Sequence, residues 1–586
     1  MEYALDRFER EIHAAISSTG QVPEPFIELA TPKPNIPADL AFPVFRVAKE
    51  QGTAPPQLAQ ELAATVRFGS DSLIGRIASA GPFLNFSVDN GRLATVVLRE
   101  VEQLGPSYGH DDIGYEQTML VEYSSPNMAR RMHVGHIRST IIGQSLFNIM
   151  AALGYRTLSD NHIGDWGKNF GVLITAIEHE GRPEGEGETA LAALEQLYAK
   201  YNALTEQDPA IDQEARDWSL RLEQGDTDAR ELWRWIVQMT LSYTQPLYDR
   251  LGVRFDTTHG ESFFEDKMEP VLKQAIEQRV AYRDEKGAVV VELAEHPTFL
   301  LQRSDGGTLY HTRDAATIAF REQEYHPVKI IYVVDARQDL HFRQVFALMQ
   351  TLGYVQNTEL VHVSFGMVID SSGQPLAARR GNMVYLQTLL NEAQSRARTV
   401  VEKTSPEFPD EEKADIAEAV GVGSVIYNDL YQDPKRNITL DWDRMLSLEG
   451  NSAPYIQYMH ARCRSILRKS LGDKSHVSAD TDQELRRVFP DYDPTLLSHT
   501  AEIEVVKQIA KLPKATREAG VRYAPFVVAN WCYDTARALS TFYQECPVLK
   551  AETPELRTAR LHLVAATAQA LKNGLALLGI RAPERM

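Results

Sequence analysis

The sequence is poor in cysteine and contains no long apolar run, and each absence excludes a class of protein. Its 586 residues include three cysteines, Cys463, Cys532 and Cys546, which lie far apart and form no CxxC pair. This spacing provides neither a cysteine zinc knuckle nor a disulfide framework, so we expect free thiols in a reducing compartment. No apolar stretch approaches the roughly 20 residues that span a bilayer. The opening MEYALDRFEREIHAAI has apolar residues at helical spacing and several charges, which is not the pattern of a signal peptide, so we expect a cytoplasmic protein.

The chain also lacks an overall excess of basic residues. Its net charge of −19 argues against indiscriminate nucleic-acid binding, because affinity for phosphates comes from lysine and arginine. A basic face on an acidic protein is still possible. Two C-terminal segments are locally basic, and a solvated helix face or a nucleic-acid surface would explain either of them. Their cations are Arg462, Arg464, Arg468, Lys469, Lys507, Lys511, Lys514, Arg517 and Arg522.

The length and the pattern of apolar residues predict a multidomain α/β protein. Residues 1–112 mix helical patterns with the strand-like GPFLNFSV, which indicates a small α+β domain. In residues 113–445 the β-rich runs TMLVEY, KIIYVV and LVHVSFGMVI alternate with helical stretches, which is typical of βαβ units around a parallel sheet. A polar helical stretch around 180–245 is predicted to be an insertion.

Residues 446–586 have the pattern of an all-α bundle. Within LHLVAATAQALKNGLALLGI, five apolar residues recur at steps of four and three and would share one helix face. They are Val564, Ala568, Leu571, Leu575 and Leu578.

The segment VEYSSPNMARRMHVGHIRSTIIGQSL places two histidines, His133 and His136, where a strand turns into a helix. Ligands of open α/β sheets bind beyond the carboxyl ends of the strands, and helix N-termini favour anionic groups such as phosphates. Gly135 lets a ligand approach the backbone closely. A metal site is a weaker interpretation, since the HExxH pattern spaces its histidines four apart within a helix. A purely structural turn is the other alternative.

Six motifs along the chain resemble those of one known protein family. EYSSPNMARRMHVGH resembles the first signature of class I aminoacyl-tRNA synthetases, and its upstream half is similar to arginyl-tRNA synthetases. The similarity continues through NHIGDWGKNFG, GTLYHTRDAA, IIYVVDARQDLHFRQVF, EGNSAPYIQYMHARCRSILRK and NGLALLGIRAPERM, and it includes GPFLNF near the N-terminus. It implies a Rossmann-like catalytic domain between an N-terminal domain that contacts the D-loop of tRNA and a helical anticodon-binding domain.

The resemblance also implies the reaction. Such an enzyme activates L-arginine with ATP and Mg²⁺ to arginyl-adenylate, releasing pyrophosphate, and transfers arginine to the 3′-terminal adenosine of tRNA(Arg). Activation in this family typically depends on tRNA, and the expected state is a monomer. No metal site made by the protein alone is expected. Two rival readings stay open at this point: another class I specificity, such as cysteine, and an RNA-binding protein that has lost catalysis.

A site for arginine needs acceptors for a guanidinium, ideally a carboxylate. Tyr310 and Asp314 are four residues apart in LYHTRDAA and would share a helix face. By resemblance, Asp314 pairs with the substrate guanidinium and Tyr310 lines its pocket, while Asn127 and Gln338 recognise the backbone groups and Glu122 is a further acceptor. The alternative for Asp314 is an ion pair with Arg313 or a helix cap.

For ATP, the resemblance assigns His133 and His136 to the pentavalent phosphorus and Gly135 to the nucleotide. The segment Gly164, Asp165, Trp166 and Gly167 would form a ledge near the adenosine, or else only a tight turn closed by the tryptophan. The second class I signature, usually a lysine-bearing loop, departs from the family here: Ala377 and Ala378 precede Arg379 and Arg380. Arg130 stands at the family's usual lysine position upstream of the histidines. We expect Arg379 and Arg380 to share with it the neutralisation of phosphate charge, and a solvated loop is the alternative for Arg380.

For tRNA, sequence-specific reading uses splayed bases stacked on aromatic or arginine planes. The C-terminal candidates are Tyr458 and Arg462, one helical turn apart, then Tyr543, and Met586 by similarity beside the anticodon. In the N-terminal domain, Phe83 offers a stacking surface and Asn85 a base-edge contact. Tyrosines at helical spacing also occur in cores, so each aromatic residue has that alternative.

Overall fold

The computed structural model describes residues 2–33, 35–370, 372–376, 383–472 and 481–586. Its N-terminal part is a small α+β domain, as predicted. Strand β3 (Phe83–Val88) is the centre of its antiparallel sheet, between β1 (Leu40–Pro43) and β2 (Ile74–Ala80). Leu84 and Phe86 of β3 are buried against the helices. The elements are α1 (Ala4–Ser17), β1 (Leu40–Pro43), α2 (Phe45–Gln51), α3 (Pro55–Thr65), β2 (Ile74–Ala80), β3 (Phe83–Val88) and α4 (Asn90–Leu104).

The central part contains the predicted parallel sheet. Its elements are β4 (Thr118–Glu122), α5 (Val134–Ala152), β5 (Arg156–Asp160), α6 (Lys168–Glu180), α7 (Gly187–Gln207), α8 (Pro209–Glu223), α9 (Thr227–Leu251), α10 (Met268–Glu277), β6 (Ala281–Arg283), β7 (Val289–Val291), β8 (Phe299–Gln302), α11 (Tyr310–Tyr325), β9 (Lys329–Asp335), α12 (Asp339–Thr351), β10 (Glu359–Phe365) and β11 (Val368–Ile369). Helices α7 to α9 occupy the polar stretch that the sequence predicts to be an insertion.

The order of the strands in the parallel sheet shows where a ligand-binding site is expected. All four strands are parallel, in the order β10-β9-β4-β5. The chain therefore builds outward on one side with β4 and β5 and on the other side with β9 and β10. The carboxyl ends of β4 and β9 are neighbours where this direction changes, which is where open α/β sheets bind ligands.

The C-terminal part is helical except for one two-residue strand, and its described residues within 446–586 form helices and no strand, as predicted. Its elements are α13 (Leu386–Thr404), α14 (Asp410–Leu430), β12 (Ile438–Thr439), α15 (Trp442–Met445), α16 (Ala453–Ser470), α17 (Thr481–Val488), α18 (Thr500–Ala510), α19 (Leu512–Arg522), α20 (Phe526–Glu545) and α21 (Pro554–Leu577). The five residues predicted to share a face of α21 and its C-cap are all buried. Helix α14 packs against α16, so helices lie on both sides of the boundary predicted at 446.

Several cations of the two basic segments are used inside the protein. Arg517 pairs with Asp6 and, at 2.8 Å, with Asp111, and Lys507 pairs with Asp39. These pairs fasten the helical bundle to the N-terminal domain, which neither sequence interpretation anticipates. No helix in the described part of the chain has the length and hydropathy of a membrane span.

Candidate active site

The histidine turn is a reciprocal cap at the start of α5. The Nδ1 atom of His133 accepts a hydrogen bond from the backbone N–H of Gly135 at 3.0 Å. The backbone N–H of His133 donates in turn to Nδ1 of His136 at 3.2 Å. Because both Nδ1 atoms are acceptors, each neutral imidazole carries its proton on Nε2. The two rings lie 4.0 Å apart and present two N–H donors side by side.

Burial keeps this pair uncharged. It lowers the pKa of His133 below its ordinary value, with a further contribution from Arg130. It lowers the pKa of His136 to about 3, with His133 as the next cause. The described residues contain no cluster of three or more histidine, cysteine, aspartate or glutamate side chains that could hold a metal ion. The pair caps α5, and its two Nε2–H groups are hydrogen-bond donors.

These histidines open into a cavity of about 510 Å³ at the switch point of the sheet. One wall is the histidine turn and the first residues of α5. The opposite wall is formed by Phe365, at the end of β10, and by residues that come after it in the sequence. The floor comes from the end of β9 and the turn Ala336–Gln338, where Gln338 is exposed. The cavity is lined by Ser124, Ser125, Asn127, His133, Gly135, His136, Arg138, Ser139, Val333, Val334, Asp335, Arg337, Gln338, Phe365, Gly366, Met367, Val368 and Pro375.

Of the two arginines before the histidines, only one is available to a ligand. Arg131 is held by Glu195 at 2.8 Å and by the hydroxyl of Tyr385 at 2.7 Å. Arg130 is exposed, its guanidinium carbon lies 5.3 Å from the ring centre of Tyr198, and it has no carboxylate partner among the described residues. Its proposed part in charge neutralisation stays a prediction. The residues Ala377, Ala378, Arg379 and Arg380 of the second signature lie outside the described part of the chain.

The predicted ATP ledge lies beside a second, smaller cavity. A Cβ atom at Gly164 would lie 2.4 Å from Oδ1 of Asn127, so only glycine permits this contact. Asp165 accepts hydrogen bonds from the backbone N–H and hydroxyl of Ser262, at 2.9 and 2.6 Å. The ring of Trp166 packs edge-on against another tryptophan, and Gly167 has φ +108°. This is the packed turn of the alternative reading, and a contact of residues 164–167 with ATP stays a prediction.

A buried ionic cluster lies at the ends of β4 and β5. Nη2 of Arg321 lies 2.7 Å from Glu122 and 2.6 Å from Asp160. Burial raises the pKa of Glu122, and Arg321 only partly offsets this. At Asp160 the effect of burial is outweighed by Arg321 and by hydrogen bonds, so the net pKa is lowered. The predicted acceptor Glu122 thus already has an internal guanidinium as its partner, and its contact with substrate stays a prediction.

The carboxylate of Asp314 is bound by a histidine side chain. It lies on α11 with Tyr310, which is 66% exposed, and its partner is Nε2 of His341. Burial would raise the pKa of Asp314, but His341 outweighs it and the net pKa is lowered. Arg313 instead pairs with Glu261 at 3.2 Å. The alternative of an ion pair between Asp314 and Arg313 is therefore wrong, and so is the helix cap, since no side chain in the described part of the chain caps the N-terminus of α11. The pairing of Asp314 with the substrate guanidinium stays a prediction.

Glu261 is a site residue that the sequence analysis missed. It lines the smaller cavity, of about 40 Å³, together with Asn127, Arg130 and Tyr310. Burial raises its pKa, which Arg313 partly offsets. A carboxylate in the segment HGESFFED gives no local signal, because its position depends on how the chain returns to the sheet after α9.

Three of the four predicted tRNA residues of the bundle come together at the surface. The guanidinium carbon of Arg462 lies 3.7 Å from the ring centre of Tyr543 and 5.7 Å from that of Tyr458. Arg462 has no carboxylate partner in the described part of the chain, and Tyr543 is exposed. Met586 lies elsewhere, packed with Phe408 against the cluster formed by α13 and α14.

In the N-terminal domain, Phe83 stacks edge-on against the exposed Phe45 with ring centres 5.6 Å apart. Asn85 lies on the same face of β3, between Ala41 and Ala78 of the neighbouring strands, and is 7% exposed. Phe45 and Phe83 form a small aromatic face of the kind on which a nucleobase stacks, whereas Asn85 is almost fully buried. The contacts of Phe83 and Asn85 with tRNA stay predictions.

Three family models match the chain in order. Residues 6–88 match the arginyl tRNA synthetase N terminal domain, residues 102–442 match the catalytic domain of class I (R) tRNA synthetases, and residues 456–586 match the DALR anticodon binding domain. The catalytic match contains both cavities, and the last match contains the Arg462 stack.

Whole-length relatives agree with these matches. The chain is 57% identical over 586 residues to the arginine–tRNA ligase of Chloroflexus aggregans, covering 100% of both chains. It is 38% identical over 550 residues to that of Clostridioides difficile, covering 94% of each. The solved arginyl-tRNA synthetase of Thermus thermophilus superposes with a TM-score of 0.79 at 25% identity, covering 99% of this chain and 100% of that one. The chain therefore belongs to the arginyl-tRNA synthetase family, class I ligases that use ATP to charge tRNA(Arg) with arginine.

Proposed function

We propose that arginine is activated in the larger cavity. The α-carboxylate of arginine attacks the α-phosphorus of ATP, arginyl-adenylate forms, and pyrophosphate leaves. Chemistry of this kind depends on positioning and on stabilising charge in the transition state. The observation that carries the proposal is the histidine pair, whose two Nε2–H donors open into the cavity at the switch point of the sheet.

The histidines act as neutral donors. Their lowered pKa values keep both imidazoles uncharged near neutral pH, with the proton on Nε2. Two preorganised donors stabilise charge that develops on the phosphoryl oxygens without exchanging a proton. The exposed Arg130 adds positive charge beside them, and we assign Arg379 and Arg380 the same task.

Arginine would lie between the two cavities. Asn127 lines both of them, so it is placed to contact the substrate backbone, together with Gln338 on the cavity floor. The side chain would extend toward Asp314, Glu261 and Tyr310. Asp314 has its pKa lowered and is therefore ionised, which suits a guanidinium.

Mg²⁺ would arrive with the nucleotide. Mg²⁺ is usually held by one or two carboxylates together with the phosphates of a substrate, so we assign its main ligands to the phosphates of ATP. When bound, Mg²⁺ would neutralise phosphate charge. The chain's own part is to bind and orient the phosphates through the helix N-terminus and the histidine pair.

The tRNA contacts are proposed at both ends of the chain. The Arg462 stack with its two tyrosines would hold anticodon bases. Met586, which lies apart from this stack beside Phe408, would contact the anticodon separately. The Phe83 face would contact the D-loop with Asn85. We further propose a cytoplasmic monomer in which arginine activation requires tRNA.

The test is arginine-dependent exchange of labelled pyrophosphate into ATP, measured with and without tRNA(Arg). We expect exchange with arginine only when tRNA is present. Exchange with cysteine or another amino acid would show a different specificity. No exchange under either condition, with tRNA binding intact, would support the binding-only alternative.

A further inference from the structure

Arg138 is a buried cation on the helix that carries the histidine pair. Its Nε donates to both carboxylate oxygens of Asp429, at 3.2 and 2.9 Å, and its Nη2 donates to one of them at 2.9 Å. Both side chains are 1% exposed. Asp429 belongs to α14, which packs against α16 of the bundle. The ion pair thus joins the start of α5 to a fixed helix.

The remaining donors of Arg138 hold a turn between α14 and β12. Nη1 donates to the carbonyl of Arg436 at 2.8 Å, and Nη2 donates to that of Pro434 at 3.1 Å. Since Asp429 neutralises its charge and its donors have these partners, Arg138 has little left to offer a phosphate.

That turn supports the far wall of the larger cavity. The backbone N–H of Gly366 donates to the carbonyl of Pro434 at 3.0 Å, and the N–H of Met367 donates to Oδ1 of Asn437 at 2.8 Å. A Cβ atom at Gly366 would lie 2.7 Å from that same Oδ1, so the wall and the turn touch directly. Gly366 and Met367 face the cavity that the histidines open into.

We propose that Arg138 is a positioning residue that sets the distance between the histidine pair and the opposite wall of the ATP cavity. One guanidinium fixes α5, Asp429 and the turn at 434–437, and the turn fixes residues 366 and 367. The proposal rests on the proposed function, because it takes this cavity to hold ATP. It predicts that loosening Arg138 weakens ATP binding far more than arginine binding, whose side-chain acceptors lie on other elements.

The experiment measures KM for ATP and KM for arginine by tRNA-dependent pyrophosphate exchange, in the wild type and in Arg138→Lys. Lysine keeps a charge for Asp429 but lacks the planar fork that reaches two carbonyls as well. We expect KM for ATP to rise about 10-fold and KM for arginine to change less than about twofold, since only one cavity wall is released.

Arg560→Lys is the matched control. Arg560 is also a buried arginine, which pairs with Glu502 at 2.6 Å and donates to the carbonyl of Pro547 at 2.9 Å, within the bundle. Because both variants loosen a buried ion pair, Arg560→Lys should lower the melting temperature about as much as Arg138→Lys does. It should leave both KM values within about twofold of wild type. Equal effects of the two variants on KM for ATP would overturn the proposal.

A second variant covers the case in which Arg138→Lys does not fold. Asn437→Ala removes the acceptor of the Met367 N–H at an exposed site, and we expect KM for ATP to rise about fivefold. Its control is Asn391→Ala, an exposed asparagine that accepts from Arg250 at 2.7 Å. Unchanged KM for ATP in Asn437→Ala would refute the wall's role. Absence of exchange in the wild type would instead refute the proposed function.

Discussion

Replacing Asp314 by asparagine removes one negative charge from the proposed arginine pocket and keeps the shape of the side chain. In the structure the carboxylate of Asp314 is bound by Nε2 of His341 and is about one-fifth exposed. Asparagine can still accept that hydrogen bond through its amide oxygen. The fold of α11 should therefore survive, and the measured effect should report on the charge.

The expected magnitude follows from the burial of this group. Truncating one partner of a buried, hydrogen-bonded charge pair costs about 2–5 kcal/mol. The partial exposure of Asp314 places the loss at the lower end, about 2–3 kcal/mol. Each 1.4 kcal/mol is a factor of ten, so KM for arginine should rise about 30- to 150-fold. KM for ATP should stay near its wild-type value, because Asp314 does not line the larger cavity.

The assay is tRNA-dependent pyrophosphate exchange with arginine as the varied substrate. The control is Asp339→Asn, which removes a carboxylate paired with Arg343 at an exposed site on α12. That control should leave KM for arginine unchanged. A rise of less than about threefold in Asp314→Asn would refute the assignment, since about 0.7 kcal/mol is too little for a guanidinium–carboxylate pair.

Further predictions concern the histidines, the tRNA surface and a partly buried carboxyl of the N-terminal domain. His136→Ala should reduce kcat of exchange about 10²- to 10³-fold. Because the pKa values of His133 and His136 are lowered, kcat of the wild type should not increase when the pH falls from 8 to 7. Arg462→Ala should raise KM for tRNA in charging about tenfold without changing exchange at saturating tRNA, and Arg537→Ala on α20 is its control. Burial raises the pKa of Glu100 to about 8, so between about pH 5 and 8 the folded state binds a proton that the unfolded state releases. The free energy of unfolding should therefore fall as the pH rises through this range. Melting curves of Glu100→Gln should lose this pH dependence.

The strands that the sequence predicted are those with continuous apolar runs. β4, β9 and β10 lie in TMLVEY, KIIYVV and LVHVSFGMVI, as expected of strands within a parallel sheet. β5 was missed because RTLSD has only one large apolar residue, Leu158, and therefore no apolar run. The sheet of β6, β7 and β8 was also missed, because its strands are only three or four residues long.

Residues of the candidate site could be predicted where several of them lie in one short segment of the sequence. The histidine turn and the Tyr310–Asp314 pair each lie within a few residues of chain, so spacing and motif located them. Glu261 and Arg321 could not be found in this way, because each takes its place through an ion pair with a residue distant in sequence. Of the predicted tRNA residues, Tyr543 meets Arg462 only through the packing of α20 against α16.

Charging of tRNA(Arg) by the full chain, with arginine and citrulline compared at equal concentration, tests whether Asp314 selects a charged substrate. Citrulline has nearly the shape of arginine but no charge on its side chain, so it would leave Asp314 without a cation. A site built to pair a charged substrate rejects the uncharged analogue strongly. We predict that arginine is esterified to tRNA(Arg) in the presence of ATP and that citrulline is not. Comparable charging with both amino acids, or none with arginine, would contradict the account.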